Sequence, residues 1–124
     1  MLKSIKFFLT TGVTKGYFHE NENFDIEDIT VIWQKLAQEK FDESGIYISA
    51  LAFKSKAIYS EDWGCPKAGE NTLTFTGSIN PTFTKDVETW KKCVIEIATE
   101  IKKTLEQSTI TVEFIECEIN YLTE

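Results

Sequence analysis

Hydrophobic and polar positions change period along the chain, and those changes divide it into six elements. Residues 2–11 alternate, with Ile5, Phe7 and Leu9 on one side and Lys6, Phe8 and Thr10 on the other, which predicts a strand. After a glycine-bearing loop, Asp25 predicts a helix cap. Ile26, Ile29, Trp33, Leu36 and Ala37 then recur at helical spacing, with Gly45 suited to a left-handed stop. Ile46 to Phe53 is apolar at almost every position and predicts a strand covered on both faces, extendable through Tyr59. Thr72 to Ile79 alternates cleanly, predicting a strand whose threonine side meets water. Thr84 is the expected cap of a second helix, whose stripe runs through Val87, Trp90, Val94, Ile97, Ala98, Ile101 and Leu105. In the last segment, 109–121, the apolar phase moves from Ile110, Val112 and Phe114 to Ile115, Cys117 and Ile119. A one-residue slip of that kind predicts a β-bulge at Phe114-Ile115.

Strand, helix, strand, strand, helix, strand is the order of a ferredoxin-like βαββαβ sandwich. The expected fold is α+β, one domain over residues 1–124, with a four-stranded antiparallel sheet and both helices on one face. If Ile46, Ile48, Ala50 and Ala52 point at the helices, then Tyr47, Leu51 and Phe53 point away, beside Phe8. Such a patch is larger than a monomer usually leaves bare. Burying ~500 Å² at ~25 cal/mol per Å² contributes ~12 kcal/mol before the cost of association. The expected cover is the same face of a second copy, a homodimer. The competing expectation is that residues 54–71 fold back over the patch.

Charge narrows the partners. Twenty acidic residues oppose thirteen basic ones, all Lys, for a net charge of -7. A duplex-binding surface needs several cations against phosphates, and no Arg is available for bidentate contacts, so nucleic acid is a disfavoured partner. Three widely spaced cysteines (Cys65, Cys93 and Cys117) are not a disulfide framework. Free thiols, no apolar run long enough for a membrane helix and no signal-like start set the expectation of a cytoplasmic protein. Cys93 and Cys117 read as small apolar fillers of regular elements.

No chemical motif stands out. Gly12 to Gly16 is neither a phosphate loop nor a dinucleotide fingerprint. His19 is the single histidine and the cysteines lack paired spacing, so neither a metal site nor a cofactor is expected. The acids from Glu20 to Asp28 lack the glycine and alternating oxygens of a calcium loop. Cys65 lies between Gly64 and Pro66 in an acidic neighbourhood, beside Glu61 and Asp62, where a nucleophilic thiol is not expected. The strand–helix order is shared with acylphosphatase-like proteins and RNA-recognition modules, but their arginine and aromatic motifs are missing. Order alone assigns no function.

The segment between the central strands is the expected ligand site: Tyr59, Glu61, Asp62, Trp63 and Glu70, with His19 as a further candidate. Its aromatics offer flat apolar area with a polar edge, and its acids can receive a cationic or hydroxyl-rich small molecule. The alternative role for Trp63 is to anchor the loop onto the sheet. Two functions follow. The first is a self-associating binding domain, taking a small molecule or serving as an acidic decoy for a basic protein. The second is a small dimeric α+β barrel enzyme acting on an organic substrate beside residues 54–71.

Overall fold

The computed structural model describes residues 2–14 and 23–123. Its elements are β1 (Leu2–Gly12), α1 (Ile26–Ser44), β2 (Leu51–Ala57), β3 (Glu70–Ser78), α2 (Val87–Thr104) and β4 (Thr111–Ile119), with a 3₁₀ turn at Glu61–Trp63. The four strands form one antiparallel sheet in the order β2-β3-β1-β4. This is the ferredoxin-like arrangement, with both helices packed on the same face.

An aromatic spine holds the helices there. Trp33 of α1 stacks on Phe75 of β3 at 4.4 Å between ring centroids and lies 5.7 Å from Phe7 of β1. Phe7 in turn meets Trp90 of α2 at 5.8 Å, and Trp90 meets Phe114 of β4 at 6.0 Å. Leu9, Leu73, Ile97, Ile101 and Leu105 fill the space around the rings. The Trp33 indole N–H donates to the Ile48 carbonyl at 3.2 Å, so its one polar group is satisfied inside the core.

Several expectations change at the ends of elements. Asp25 caps α1, accepting from the Glu27 N–H at 2.9 Å, and Gly45 ends it at φ 77°. For α2 the cap is Asp86, not Thr84. Its carboxylate accepts from the Thr89 N–H at 3.1 Å and the Thr89 hydroxyl at 2.6 Å, and these bonds hold its pKa below the usual carboxylate range. A carboxylate three residues before Thr89 reaches both donors; Thr84 is two residues too early for this turn.

The second strand starts at Leu51 rather than Ile46. Residues 46–50 run past β3 in irregular backbone, with Ile46 and Ile48 buried. Gly77 permits that approach, since a Cβ there would overlap the Ser49 carbonyl oxygen. Tyr47 therefore does not join the open sheet face. It packs edge-on against Phe41 of α1 at 6.2 Å, because a side chain that precedes the strand no longer follows its alternation.

The slip in β4 is not a bulge. Its register with β1 is unbroken from Leu2↔Ile119 to Thr10↔Thr111. Val112 and Phe114 pack under α2, while Ile115, Cys117 and Ile119 take the opposite face. What changes along the strand is which face is apolar. Past Phe114 the helix-side positions are Glu116 and Glu118, which line an open groove beside the start of α2.

The threonine side of β3 does not meet water freely. Thr72 and Thr74 are 4% and 7% exposed. β3 is a central strand, so its open-face side chains sit between those of β2 and β1. The Ser55 hydroxyl lies 2.7 Å from that of Thr72 and 2.8 Å from that of Thr74, and Thr74 lies 3.2 Å from Thr10. Buried hydroxyls are thus paired with one another.

Candidate active site

Strand register divides the open face into two ends. Leu51, Thr76, Phe8 and Glu113 form one cross-strand row, and Phe53, Thr74, Thr10 and Thr111 form the next. Beyond them come Ser55, Thr72 and Gly12, then Ala57 and Glu70. Apolar side chains therefore gather toward one end, and hydroxyls ending in a carboxylate gather toward the other. Phe8, Leu51 and Phe53 do lie on this face, with Leu51 73% and Phe53 47% exposed. Residues 54–71 leave them uncovered: residues 54–57 continue β2 and 70–71 belong to β3, so the remaining loop runs past the strand ends.

That loop is short-range in construction. The Ser60 side chain caps the 3₁₀ turn by accepting from the Asp62 N–H at 3.1 Å, and Gly64 closes it in the left-handed region at φ 95°. The Cys65 N–H returns to the Ser60 carbonyl at 3.3 Å, and the Gly69 N–H to that of Pro66 at 3.0 Å. The buried Cys65 thiol faces the Pro66 carbonyl at 3.4 Å and the Ala57 carbonyl at 3.9 Å, fastening the loop to the end of β2. Its position is structural.

The turn turns its side chains outward. Glu61 and Asp62 are exposed, and Trp63 is 80% exposed, so Trp63 does not anchor the loop. The indole is left bare to solvent at the apex of a well-bonded turn. Tyr59 and Glu70, by contrast, interact. Partial desolvation raises the Tyr59 phenol above its ordinary pKa, and the charges of Glu70 and Cys65 push it the same way. The phenol is neutral at pH 7 with or without this shift, and it lies within electrostatic reach of the Glu70 carboxylate at the polar end of the open face. Of the expected ligand residues, Tyr59, Glu61, Asp62, Trp63 and Glu70 thus lie on one stretch at that end, and His19 lies outside the described residues.

Two features escaped sequence reasoning. The hydroxyl group of Thr10, Ser55, Thr72 and Thr74 depends on strand register, and only the alternating threonines hinted at it. The second is a groove of about 710 Å³ on the helix side. Ile5 and Val87 are among its apolar lining, with Lys3, Lys85, Glu116 and Glu118 supplying charge. Among the described residues, no group of three or more His, Cys, Asp or Glu is arranged to hold a metal ion. No helix there is long and apolar enough to cross a membrane.

The solved structures that resemble this one include two of a phage SAM lyase. A phage SAM lyase in its apo state is 17% identical, with a TM-score of 0.63 over 92% of this chain and 79% of that one. A phage SAM lyase in complex with S-methyl-5'-thioadenosine is 18% identical, with a TM-score of 0.61 over 91% of this chain and 81% of that one. At these identities the likeness carries the fold. No curated protein matches the sequence significantly. A family model described as SAM lyase matches residues 2–123. That match favours the small-molecule enzyme over the acidic decoy, because net charge alone specifies no partner. With nearly its whole length under one family model, the chain belongs to the SAM lyase family.

Proposed function

We propose that this protein cleaves S-adenosylmethionine, releasing S-methyl-5'-thioadenosine, at the polar end of its open sheet face. The observation that carries the reading is the family match over residues 2–123, joined to a local constellation whose chemistry suits a sulfonium substrate. The substrate is a cation with a flat base at one end and an amino acid at the other. Glu61, Asp62 and Glu70 supply negative charge, and the exposed Trp63 indole offers a stacking surface for the base or a π-face for the cation.

The reaction places modest demands on the protein. As the C–S bond breaks, its electron pair passes to sulfur and the sulfonium becomes a neutral thioether. The four-carbon fragment is completed either by loss of a proton to a base or by closure of its own carboxylate onto the carbon that leaves sulfur. In the first route Glu70 accepts the proton. In the second the phenol of Tyr59 and the carboxylate of Glu70 orient the fragment's carboxylate and ammonium ends. Neither route needs a nucleophile from the chain, consistent with a Cys65 thiol turned into the loop.

Incubation of the purified protein with S-adenosylmethionine, followed by chromatography of the nucleoside and amino-acid products, tests this. Release of S-methyl-5'-thioadenosine is expected from the wild type. Tyr59→Phe and Trp63→Ala are expected to be strongly impaired. Glu118→Gln, in the groove on the other face, is expected to remain active. Absence of thioether product from folded protein would refute the lyase reading. Loss of activity in Glu118→Gln alone would move the site to the groove.

A further inference from the structure

We infer that the groove at the start of α2 binds a free α-amino acid with an apolar side chain, at a site separate from the shelf that Tyr59 and Glu70 form. The groove exists because the sheet outruns the helix. Past the row of Phe7 and Phe114, which lies under Trp90, the helix-side positions continue as Ile5↔Glu116 and Lys3↔Glu118. Over these two rows α2 contributes only its first residue, Val87, to the walls, and the connection from β3 supplies Pro81 and Lys85. The space left open is about 710 Å³, inside the range of roughly 300–1,000 Å³ that small-molecule sites occupy.

The charges around this space select a zwitterion. Lys3 and Lys85 bring two cations, and Glu116 and Glu118 two anions, so the rim is neutral on a chain whose net charge is -7. Lys3 and Glu118 are direct cross-strand partners, yet among the described residues none of the four groups is in an ion pair. A ligand of one sign would meet two groups of its own sign. A molecule that carries an ammonium and a carboxylate on one carbon meets both opposites at once: its carboxylate accepts from Lys3 and its ammonium donates to Glu118. Side chains directly opposed across an antiparallel pair stand about 5 Å apart at Cβ, close enough to serve both groups of one head. One row further in stands the half-buried Ile5, with Val87 and the buried Ile79 also lining the space. This apolar floor takes the ligand's side chain out of water. Glu116 and Lys85 are of opposite sign, so the inner part carries no net charge and favours an uncharged side chain.

The groove is remote from the proposed lyase chemistry. It opens at the start of β1, whereas a Glu70 oxygen lies by Gly12, at the end of that strand. Lys3 and Gly12 are about nine residue rises apart, roughly 30 Å, and the shelf is at the open face while the groove is on the helix side. Binding in the groove therefore stands or falls independently of the lyase reading.

Two-dimensional NMR of the full chain, titrated near neutral pH with L-leucine, L-methionine and L-phenylalanine, tests the site without reference to activity. At least one of them should move the backbone amide signals of Lys3, Ile5, Val87 and Glu118, with a Kd of about 1 mM or tighter. The N-acetylated and the C-amidated forms of the same amino acid should each bind at least about 10-fold more weakly, because each loses one charge of the head. Lys3→Gln should weaken the free amino acid similarly, whereas Trp63→Ala, at the distant turn, should bind it as the wild type does. Absence of any shift at millimolar amino acid overturns the proposal, as does equal binding of the capped forms. Shifts confined to residues 59–70 overturn it as well, and would place the amino acid on the shelf.

Discussion

The two faces of the sheet use aromatic residues in opposite ways. On the helix side, Phe75, Trp33, Phe7, Trp90 and Phe114 touch in series, and the polar edge of Trp33 is spent on the Ile48 carbonyl. On the open side, Leu51 and Phe53 stand uncovered, and in the loop past the strand ends Trp63 is left bare, with no ring contact among the described residues. The first arrangement lowers the energy of one chain by excluding water. The second leaves that gain available to something that binds. Residue type does not distinguish these roles, since Trp33 and Trp63 are the same side chain. Burial and a satisfied N–H do.

The sharpest way to break this comparison is to truncate one tryptophan from the helix-side core and the other from the exposed turn beyond the strand ends. Trp33→Ala removes the ring that bridges β1 and β3 to α1, and should cost about 3–5 kcal/mol in chemical denaturation. Trp63→Ala should change stability by less than about 0.5 kcal/mol, the range of surface substitutions. If the two losses came out equal, the distinction between the packed and the exposed aromatics would be wrong.

At the polar end, Glu70→Gln keeps the shape of the shelf and removes its charge. Thioether release should fall about 100-fold, the lower range for a positioned acid–base group, with an unchanged melting temperature. A parallel fall in melting temperature would make Glu70 part of the framework instead. Ser55→Ala tests the hydroxyls beside it. It removes the shared partner of Thr72 and Thr74, and should cost about 1 kcal/mol in denaturant unfolding.

The smallest effect is expected between the helices. Lys40 lies 2.7 Å from Glu96 and 3.4 Å from Glu43. A hydrogen bond from Lys40 holds Glu96 below its ordinary pKa, and the same bond raises Lys40. A depressed carboxylate contributes stability above its unfolded pKa and loses it as pH falls through the folded value. A raised amine contributes below its unfolded pKa and loses it as pH rises through the folded value. Glu96 is 36% exposed, so solvent screening limits the pair to about 0.5 kcal/mol. Glu96→Gln should therefore flatten the acid limb of a plot of melting temperature against pH. An unchanged acid limb would show that the pair contributes nothing.

Much of the fold was legible because periodicity is a local property. The stripe from Val87 to Leu105 and the alternation of Ile5, Phe7 and Leu9 predict a helix and a strand without reference to the rest of the chain. The segment from Tyr59 to Glu70 was legible as a candidate site for a similar reason: glycine, proline, aromatics and acids cluster there in sequence. Element ends were less so, since a cap is decided by which carboxylate reaches a free N–H, and Asp86 reaches where Thr84 does not.

What the sequence by itself determined is the set of amphipathic elements and their order, because each follows from side chains a few positions apart. Only tertiary structure decided which surface of each element meets which neighbour. Tyr47 went to Phe41 because irregular backbone broke the alternation before β2, and the hydroxyls of β3 were sheltered because that strand is central. The apparent slip in β4 became a change of apolar face because pairing with β1 held the register. Such outcomes depend on contacts between residues distant in sequence, and a hydrophobic period records that a face is buried without recording against what.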